Sequence, residues 1–151
     1  MITITLPDGA KKQFDAVSVT PLQVAQAIGP RLARDAIGAL INGQLADLST
    51  PIGQDAAVAI ITAKATDPNA VYLLRHSTAH VMAEAITRLF PAVRLAYGPP
   101  VETGFYYDME LSQPIREEDF PRIEAEMEKI VAENRPFTRS FILMVGNCDS
   151  L

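Results

Sequence analysis

The sequence has no tryptophan, a single cysteine and no long hydrophobic run, and each absence excludes a class of protein. Because Cys148 has no second cysteine to pair with, an internal disulfide and a CxxC metal site are excluded. The apolar run 141–145 is too short to cross a bilayer, and residues 1–6 lead straight into a turn rather than forming a secretory signal. The sequence therefore predicts a cytoplasmic protein that does not enter a membrane.

Basic residues are outnumbered, with 13 Lys and Arg against 18 Asp and Glu and a net charge of −5. Seven of the acids lie within residues 117–133, so this one segment accounts for the net charge. No basic tract indicates nucleic-acid binding. Local patches that could contact RNA are also typical of ordinary solvated surface. They are Lys11/Lys12, Arg31/Arg34 and Arg88/Arg94.

Residues 1–63 have the pattern of a small β-rich domain. Apolar and threonine residues alternate over residues 2–6, and Asn42-Gly43 is typical of a tight hairpin turn. Thr20 is expected to cap a helix that ends at Gly29-Pro30. The remaining predicted features are strands at 11–17, 37–41, 44–46 and 57–62, and a helical face of Leu22, Ala25 and Ile28. A hairpin, one helix and further short strands predict a ubiquitin-like β-grasp fold.

The remainder of the chain has a different pattern, so we expect a second α+β region after a linker at 63–69. Asp67-Pro68 predicts a helix start, and the helix should end before Pro91. We expect a strand, a loop and a strand over 92–108. The predicted helices and their buried faces are 69–89, with Leu74, Val81, Ala85 and Leu89, and an acidic helix at 119–134, with Phe120, Ile123, Met127 and Ile130.

The two histidines of the chain, His76 and His80, are separated by one helical turn. This spacing places both imidazoles on one face of the helix, where they could share a metal ion or position a water molecule. Ser77 stands where the glutamate of a zinc-protease HExxH motif would be. The alternative interpretation is two histidines on a solvated helix face.

Three consecutive aromatic residues follow Gly104. In a strand, Phe105 and Tyr107 would lie on one face and Tyr106 on the other. The hydroxyl of Tyr107 could orient a substrate beside the histidines. The alternative is that these rings pack a sheet against a helix.

The motifs ITLPDG, INGQL, RHSTAH, YGPPVETGFYYDME and REEDFPRIEAEMEKI follow one another along the chain. This succession resembles the amino-terminal region of the bacterial threonyl-tRNA synthetase family, over residues 1 to about 140. The resemblance implies a TGS domain of β-grasp fold at 1–63 and the amino-terminal part of a threonyl/alanyl-tRNA synthetase-type editing domain at 64–140. Residues 141–151 do not resemble the family.

The resemblance also implies a reaction, the hydrolysis of serine wrongly esterified to threonine tRNA. His76 and His80 match the catalytic histidines, which would orient the water and the terminal ribose, and Tyr107 matches a substrate-binding tyrosine. No metal is expected at this site. The family completes its pocket with a downstream Cys-xxx-His pair, and neither Cys148 nor any third histidine matches it.

The resemblance implies threonine tRNA as the partner and, for the parent family, a homodimer. ATP, magnesium and zinc are expected only for the family's catalytic domain, which has no counterpart in this sequence, so we expect no cofactor here. These departures predict a truncated ligase fragment, from a frameshifted or split reading frame, that is inactive alone. Two alternatives stay open, a free-standing factor that deacylates misacylated tRNA and a non-catalytic β-grasp module that binds RNA or a partner.

Overall fold

The computed structural model describes residues 1–64 and 66–135. The expectations for residues 141–151 and Cys148 lie outside the described residues. The elements of the first region are β1 (Ile2–Thr5), β2 (Lys11–Phe14), α1 (Pro21–Ile28), α2 (Pro30–Asp35), β3 (Ala36–Ile41), β4 (Gln44–Ala46) and β5 (Ala56–Thr62).

These five strands form one mixed sheet in the order β2-β1-β5-β3-β4. Strands β1 and β5 are parallel at its centre, with Ile4 opposite Ala56, and the other pairs are antiparallel. The core of the region joins both central strands to α1 through Ile4, Val24 and Val58, which are almost completely buried. This arrangement is the predicted β-grasp fold.

Short sequence signals determine the turns and helix ends of this region. Thr20 and Gln23 form a reciprocal capping box at the start of α1, and Pro21 occupies the first helical turn. Asn42 and Gly43 have φ angles of 51° and 81°. This left-handed backbone at both central residues is what a type I′ hairpin turn between β3 and β4 requires.

The predicted buried face of α1 is wrong at two of its three positions. Leu22 is 37% exposed and Ile28 is 40% exposed, whereas Pro21, Val24 and Ala25 are buried. The predicted residues and the buried ones are both spaced as one face of a helix. The position of the sheet decides which of the two faces is covered.

Two further differences concern element limits. Strand β2 ends at Phe14, three residues earlier than predicted, and α2 was not predicted at all. Pro30 ends α1 as expected, but it also occupies the first turn of α2, where its missing N–H costs nothing.

The second region is built on one long helix. Its elements are α3 (Pro68–Leu89), β6 (Arg94–Tyr97), β7 (Pro100–Val101), β8 (Gly104–Phe105), β9 (Asp108–Glu110), a 3₁₀ turn at Glu117–Asp119 and α4 (Phe120–Glu133). Strand β6 pairs with β9 and strand β7 with β8, both antiparallel. Together with the first region, these elements confirm the predicted α+β class, whereas the domain limits at 63 and 140 stay predictions.

Helix α3 begins as predicted, because the Asp67 carboxylate accepts a hydrogen bond from the Asn69 N–H. Its predicted buried face is only partly correct. Ala85 is fully buried and Val81 and Leu89 are half-buried, but Leu74 is 43% exposed. The residues of α3 that are buried are mostly alanines. They are Ala70, Ala79, Ala83, Ala85 and Ile86.

This difference arises because α3 contacts separate partners along its length. Near its start, Leu73 Cδ1 lies 2.6 Å from where a Cβ on Gly38 would be, so glycine on β3 allows the helix to contact the sheet. Near its end, Ala85 and Ile86 pack against Ile123 and Ile130 of α4.

Helix α4 packs against α3 through the predicted Ile123 and Ile130, which are each 7% exposed, and through the half-buried Met127. Phe120, predicted to share this face, is 52% exposed, since it is the first residue of α4 and projects beyond the area that α3 covers. Among residues 1–64 and 66–135, no helix is both long and apolar enough to cross a membrane.

Replacing Ile4 by alanine should lower the free energy of unfolding by about 2–5 kcal/mol, because the side chain is completely buried and the substitution leaves a cavity. Urea unfolding followed by circular dichroism measures this change. Val17→Ala, at a position that is 93% exposed, is the control and should change stability by less than about 0.5 kcal/mol. Equal effects of both variants would contradict the assigned core.

Candidate functional site

The two histidines lie together on one face of α3. Their ring centroids are 4.7 Å apart with an interplanar angle of 27°, which is a stacked arrangement. Tyr72, one turn earlier, meets the His76 ring edge-on at 6.0 Å. His76 is half-buried and His80 is exposed, so the pair is accessible from the surface. The spacing of the sequence therefore did predict the contact between the imidazoles.

The pKa of His80 is lowered from its ordinary value of 6.5. Partial burial is the larger cause, because it disfavours the charged imidazolium, and the charge of the neighbouring His76 adds to it. His80 is therefore held in its neutral form at neutral pH. A neutral imidazole has a ring nitrogen that accepts a proton, as a general base for water requires.

A cavity of about 280 Å³ opens next to His80, between α3 and the end of α4. His80 and Glu84 contribute to its wall from α3, while Asn134 and Arg135 contribute from the chain after α4. Val81, Ile130 and Val131 complete the lining. One side of the His pair therefore faces a space that has both polar and apolar walls.

Arg88 joins α3 to α4 through ion pairs with both helices. Its guanidinium donates to Glu133 at 2.6 and 2.8 Å, to Glu84 at 2.7 Å and to Glu126 at 3.2 Å. Arg135 also contacts Glu84 and Glu133. Arg88 is an exposed residue, as the interpretation of solvated surface expects, and three carboxylates already engage the guanidinium that the alternative would use to contact RNA.

These ion pairs alter the titration of the acidic helix. The hydrogen bonds from Arg88 lower the pKa of Glu133 to about 2, and the same carboxylates raise the pKa of Arg88. The pKa of Glu84 is also lowered, first by Arg135 and then by Arg88. The acidic face of α4 is thus partly neutralised by arginines on its α3 side.

Tyr107 lies between β8, which ends at Phe105, and β9, which begins at Asp108, so the strand predicted through residue 108 is interrupted at this position. Phe105 and Tyr107 are half-buried and Tyr106 is 47% exposed, which is the alternation that the sequence predicted. The Tyr107 ring packs against Gly98, the residue that follows β6. The structure thus brings His76 and His80 together and places Tyr107 between two strands, against Gly98.

Arg75 connects these strands with the helix, a role that no sequence pattern indicated. Its Nη1 donates to the carbonyl oxygens of Val101 at 3.2 Å and Glu102 at 2.5 Å. Because Arg75 directly precedes His76, the bonds tie the β7–β8 hairpin to the helical turn that carries the first histidine. A charged residue at a half-exposed helix position has no distinctive sequence signal.

Across residues 1–64 and 66–135, no group of three or more His, Cys, Asp or Glu side chains is arranged to hold a metal ion. The histidine pair supplies two nitrogen ligands. The usual tetrahedral zinc site needs three or four protein ligands. Within the described residues, the histidine pair therefore falls one or two ligands short of such a site.

Residues 2–62 match the TGS domain family, so the first region is a TGS domain. Over 92% of its length, the chain matches the amino-terminal part of threonine–tRNA ligase.

Three of these relatives are bacterial proteins described as threonine–tRNA ligase. The chain is 50% identical over 139 residues to that of Desulfosudis oleivorans, 49% to that of Gluconacetobacter diazotrophicus and 48% to that of Anoxybacillus flavithermus. It spans about a fifth of their length, 21% in each case. These matches confirm the family resemblance inferred from the motifs.

Replacing Glu133 by glutamine should weaken the acid dependence of stability. The pKa of Glu133 is about 2 in the folded chain against an ordinary 4.5, so its stabilising contribution is complete above about pH 5 and is lost as the pH falls towards 2. Urea midpoints measured between pH 6 and pH 2 should fall less steeply for Glu133→Gln than for the unmodified chain. Glu128→Gln, an exposed position on α4, is the matched control, and the same slope for both variants would contradict the ion-pair assignment.

Proposed function

We propose that the chain is the tRNA-proofreading part of a threonine–tRNA ligase, in which His76 and His80 hydrolyse serine from misacylated threonine tRNA. The observation that supports it most directly is the stacked, accessible pair beside a cavity. The pair lies in a chain that matches the amino-terminal part of such ligases.

The reaction is the hydrolysis of an ester at the 3′ end of the tRNA. The water oxygen attacks the ester carbonyl carbon while His80 accepts a proton from the water, since its lowered pKa keeps it neutral. The bond to the ribose oxygen then breaks, and this oxygen takes up the proton as it leaves. The products are free serine and uncharged tRNA. His76 orients the terminal ribose, and Tyr107 contacts the substrate.

A separate hydrolytic site has a physical reason in the similarity of serine to threonine. Serine lacks one methyl group, and a missing methyl in a binding pocket is worth only about 1–3 kcal/mol. A synthetic site made for threonine therefore cannot exclude serine by shape. Hydrolysis of the wrong product at a second site supplies the missing discrimination.

We further propose that tRNA is the partner of both regions and that the chain acts in the cytoplasm, without a cofactor of its own. Three basic residues of the first region are candidates for contact with the tRNA backbone. Lys11 on β2 is exposed, and Arg31 and Arg34 both neighbour a single carboxylate, Asp35. This surface is weakly basic, so the affinity it confers should be modest and sensitive to salt.

The decisive experiment transfers the site into a complete enzyme. A chimera in which this chain replaces the matching part of the Desulfosudis oleivorans ligase should deacylate seryl-tRNA, and His76→Ala should slow that reaction by about 100-fold or more. Charging with threonine should be unchanged. Ser77→Ala, at an exposed helix position, is the matched control. Unchanged deacylation by the His76→Ala chimera would overturn the proposal.

The isolated chain distinguishes the proposal from its alternatives. We expect neither ATP–pyrophosphate exchange with threonine nor turnover of seryl-tRNA, because the family's pocket needs a Cys-xxx-His pair that this sequence lacks. Turnover that His76→Ala abolishes would instead show a free-standing deacylase. Salt-dependent tRNA affinity that survives deletion of residues 64–151 would indicate a binding module.

A further inference from the structure

Gly98 is a glycine that the backbone itself does not require. Among the described residues, the glycines with positive φ are Gly9 and Gly43, both in turns. Gly98 has no such φ, so an L-residue could adopt its conformation without strain. The reason for glycine at this position must therefore lie in what surrounds it.

The space that a side chain would need is occupied by the Tyr107 ring. A Cβ built on Gly98 would lie 2.5 Å from Cγ and from Cε2 of Tyr107 and even closer to Cδ2. Contacts shorter than 3.0 Å essentially never occur for a real Cβ. A substitution at this position would therefore have to displace the ring.

The backbone on both sides gives little freedom to avoid that displacement. Asp108, next to Tyr107, pairs with Tyr97, next to Gly98, and Phe105 pairs with Pro100. Pro99 also directly follows Gly98, and a residue before proline is restricted to extended conformations. The strands therefore hold the glycine and the tyrosine face to face.

We propose that Gly98 is a positioning residue, whose missing side chain allows the Tyr107 ring to pack next to strands β7 and β8, which contact the helix that carries His76 and His80. The expected effect of Gly98 on hydrolysis rests on the proposed function. Its expected effect on the position of the Tyr107 ring rests on the packing alone. The hydrogen bonds from Arg75 to Val101 and Glu102 connect the β7–β8 hairpin to α3.

The contact between Gly98 and the Tyr107 ring is tested first, in the full-length chain without any fusion. The ring current of Tyr107 should shift the Gly98 Hα proton resonances away from their usual positions, and Tyr107→Leu should abolish the shift. Gly98→Ala should lower the unfolding midpoint in the Tyr107 background and have a much smaller effect when Tyr107 is already leucine. Independent, additive effects of the two substitutions would refute the contact.

The effect of Gly98 on seryl-tRNA deacylation is tested in the chimera with the Desulfosudis oleivorans ligase. Gly98→Ala and Tyr107→Leu should each lower kcat/KM for seryl-tRNA deacylation at least 10-fold, and the double variant should be no worse than either single variant. Gly104→Ala is the matched control, because nothing lies within 4 Å of its added Cβ.

The results distinguish the proposed function from the positioning role of Gly98. Full deacylation by Gly98→Ala, or a double variant whose losses multiply, would overturn the positioning role. A chimera that never deacylates seryl-tRNA would overturn the proposed function and, with it, any role of Gly98 in hydrolysis, while the resonance shift and the stability comparison would still decide the contact. If Gly98→Ala does not fold, recovery of folding in the Gly98→Ala/Tyr107→Leu variant would support the contact and continued failure would refute it.

Discussion

The close approach that small residues permit along α3 is the constraint on which the second region depends. Four of its five buried residues are alanines, and on the sheet side it is a glycine, Gly38, that leaves room for Leu73. Small side chains let a helix lie close to its neighbours, so the sheet, the hairpin and α4 can all be positioned by one element. The histidine pair lies on the same helix, so the same packing fixes its position. A site built on a packed helix is held more accurately than one built on a loop.

Charge has a structural role where α3 meets the acidic helix α4. The α3–α4 contact buries Ile86, Ile123 and Ile130, and at its edge Arg88 is surrounded by carboxylates from both helices. A single exposed ion pair contributes little, but several charges around one planar guanidinium hold each other in place. The same network forms one wall of the cavity beside His80 through Glu84 and Arg135. The acidity of α4 is thus connected to the candidate site.

Features whose physics lies within a few residues were predictable. The capping of α1 by Thr20, the Asn42-Gly43 turn and the start of α3 at Asp67-Pro68 are all observed, because each depends on hydrogen bonds or φ angles between near neighbours. The buried faces of helices were predicted less well. Leu22 and Phe120 fit a helical stripe but are exposed, since burial is decided by the partner that covers the stripe rather than by the stripe itself.

The candidate site likewise combines features set by local spacing with features set by tertiary packing. The sequence by itself determined that His76 and His80 meet, because a separation of four residues brings side chains together on any α-helix. Only the tertiary structure decided that a cavity adjoins His80, that Arg75 reaches carbonyls 26 and 27 residues away and that Tyr107 occupies the space above Gly98. These contacts join residues on different elements, and their geometry follows from how the helix and strands pack rather than from any local spacing.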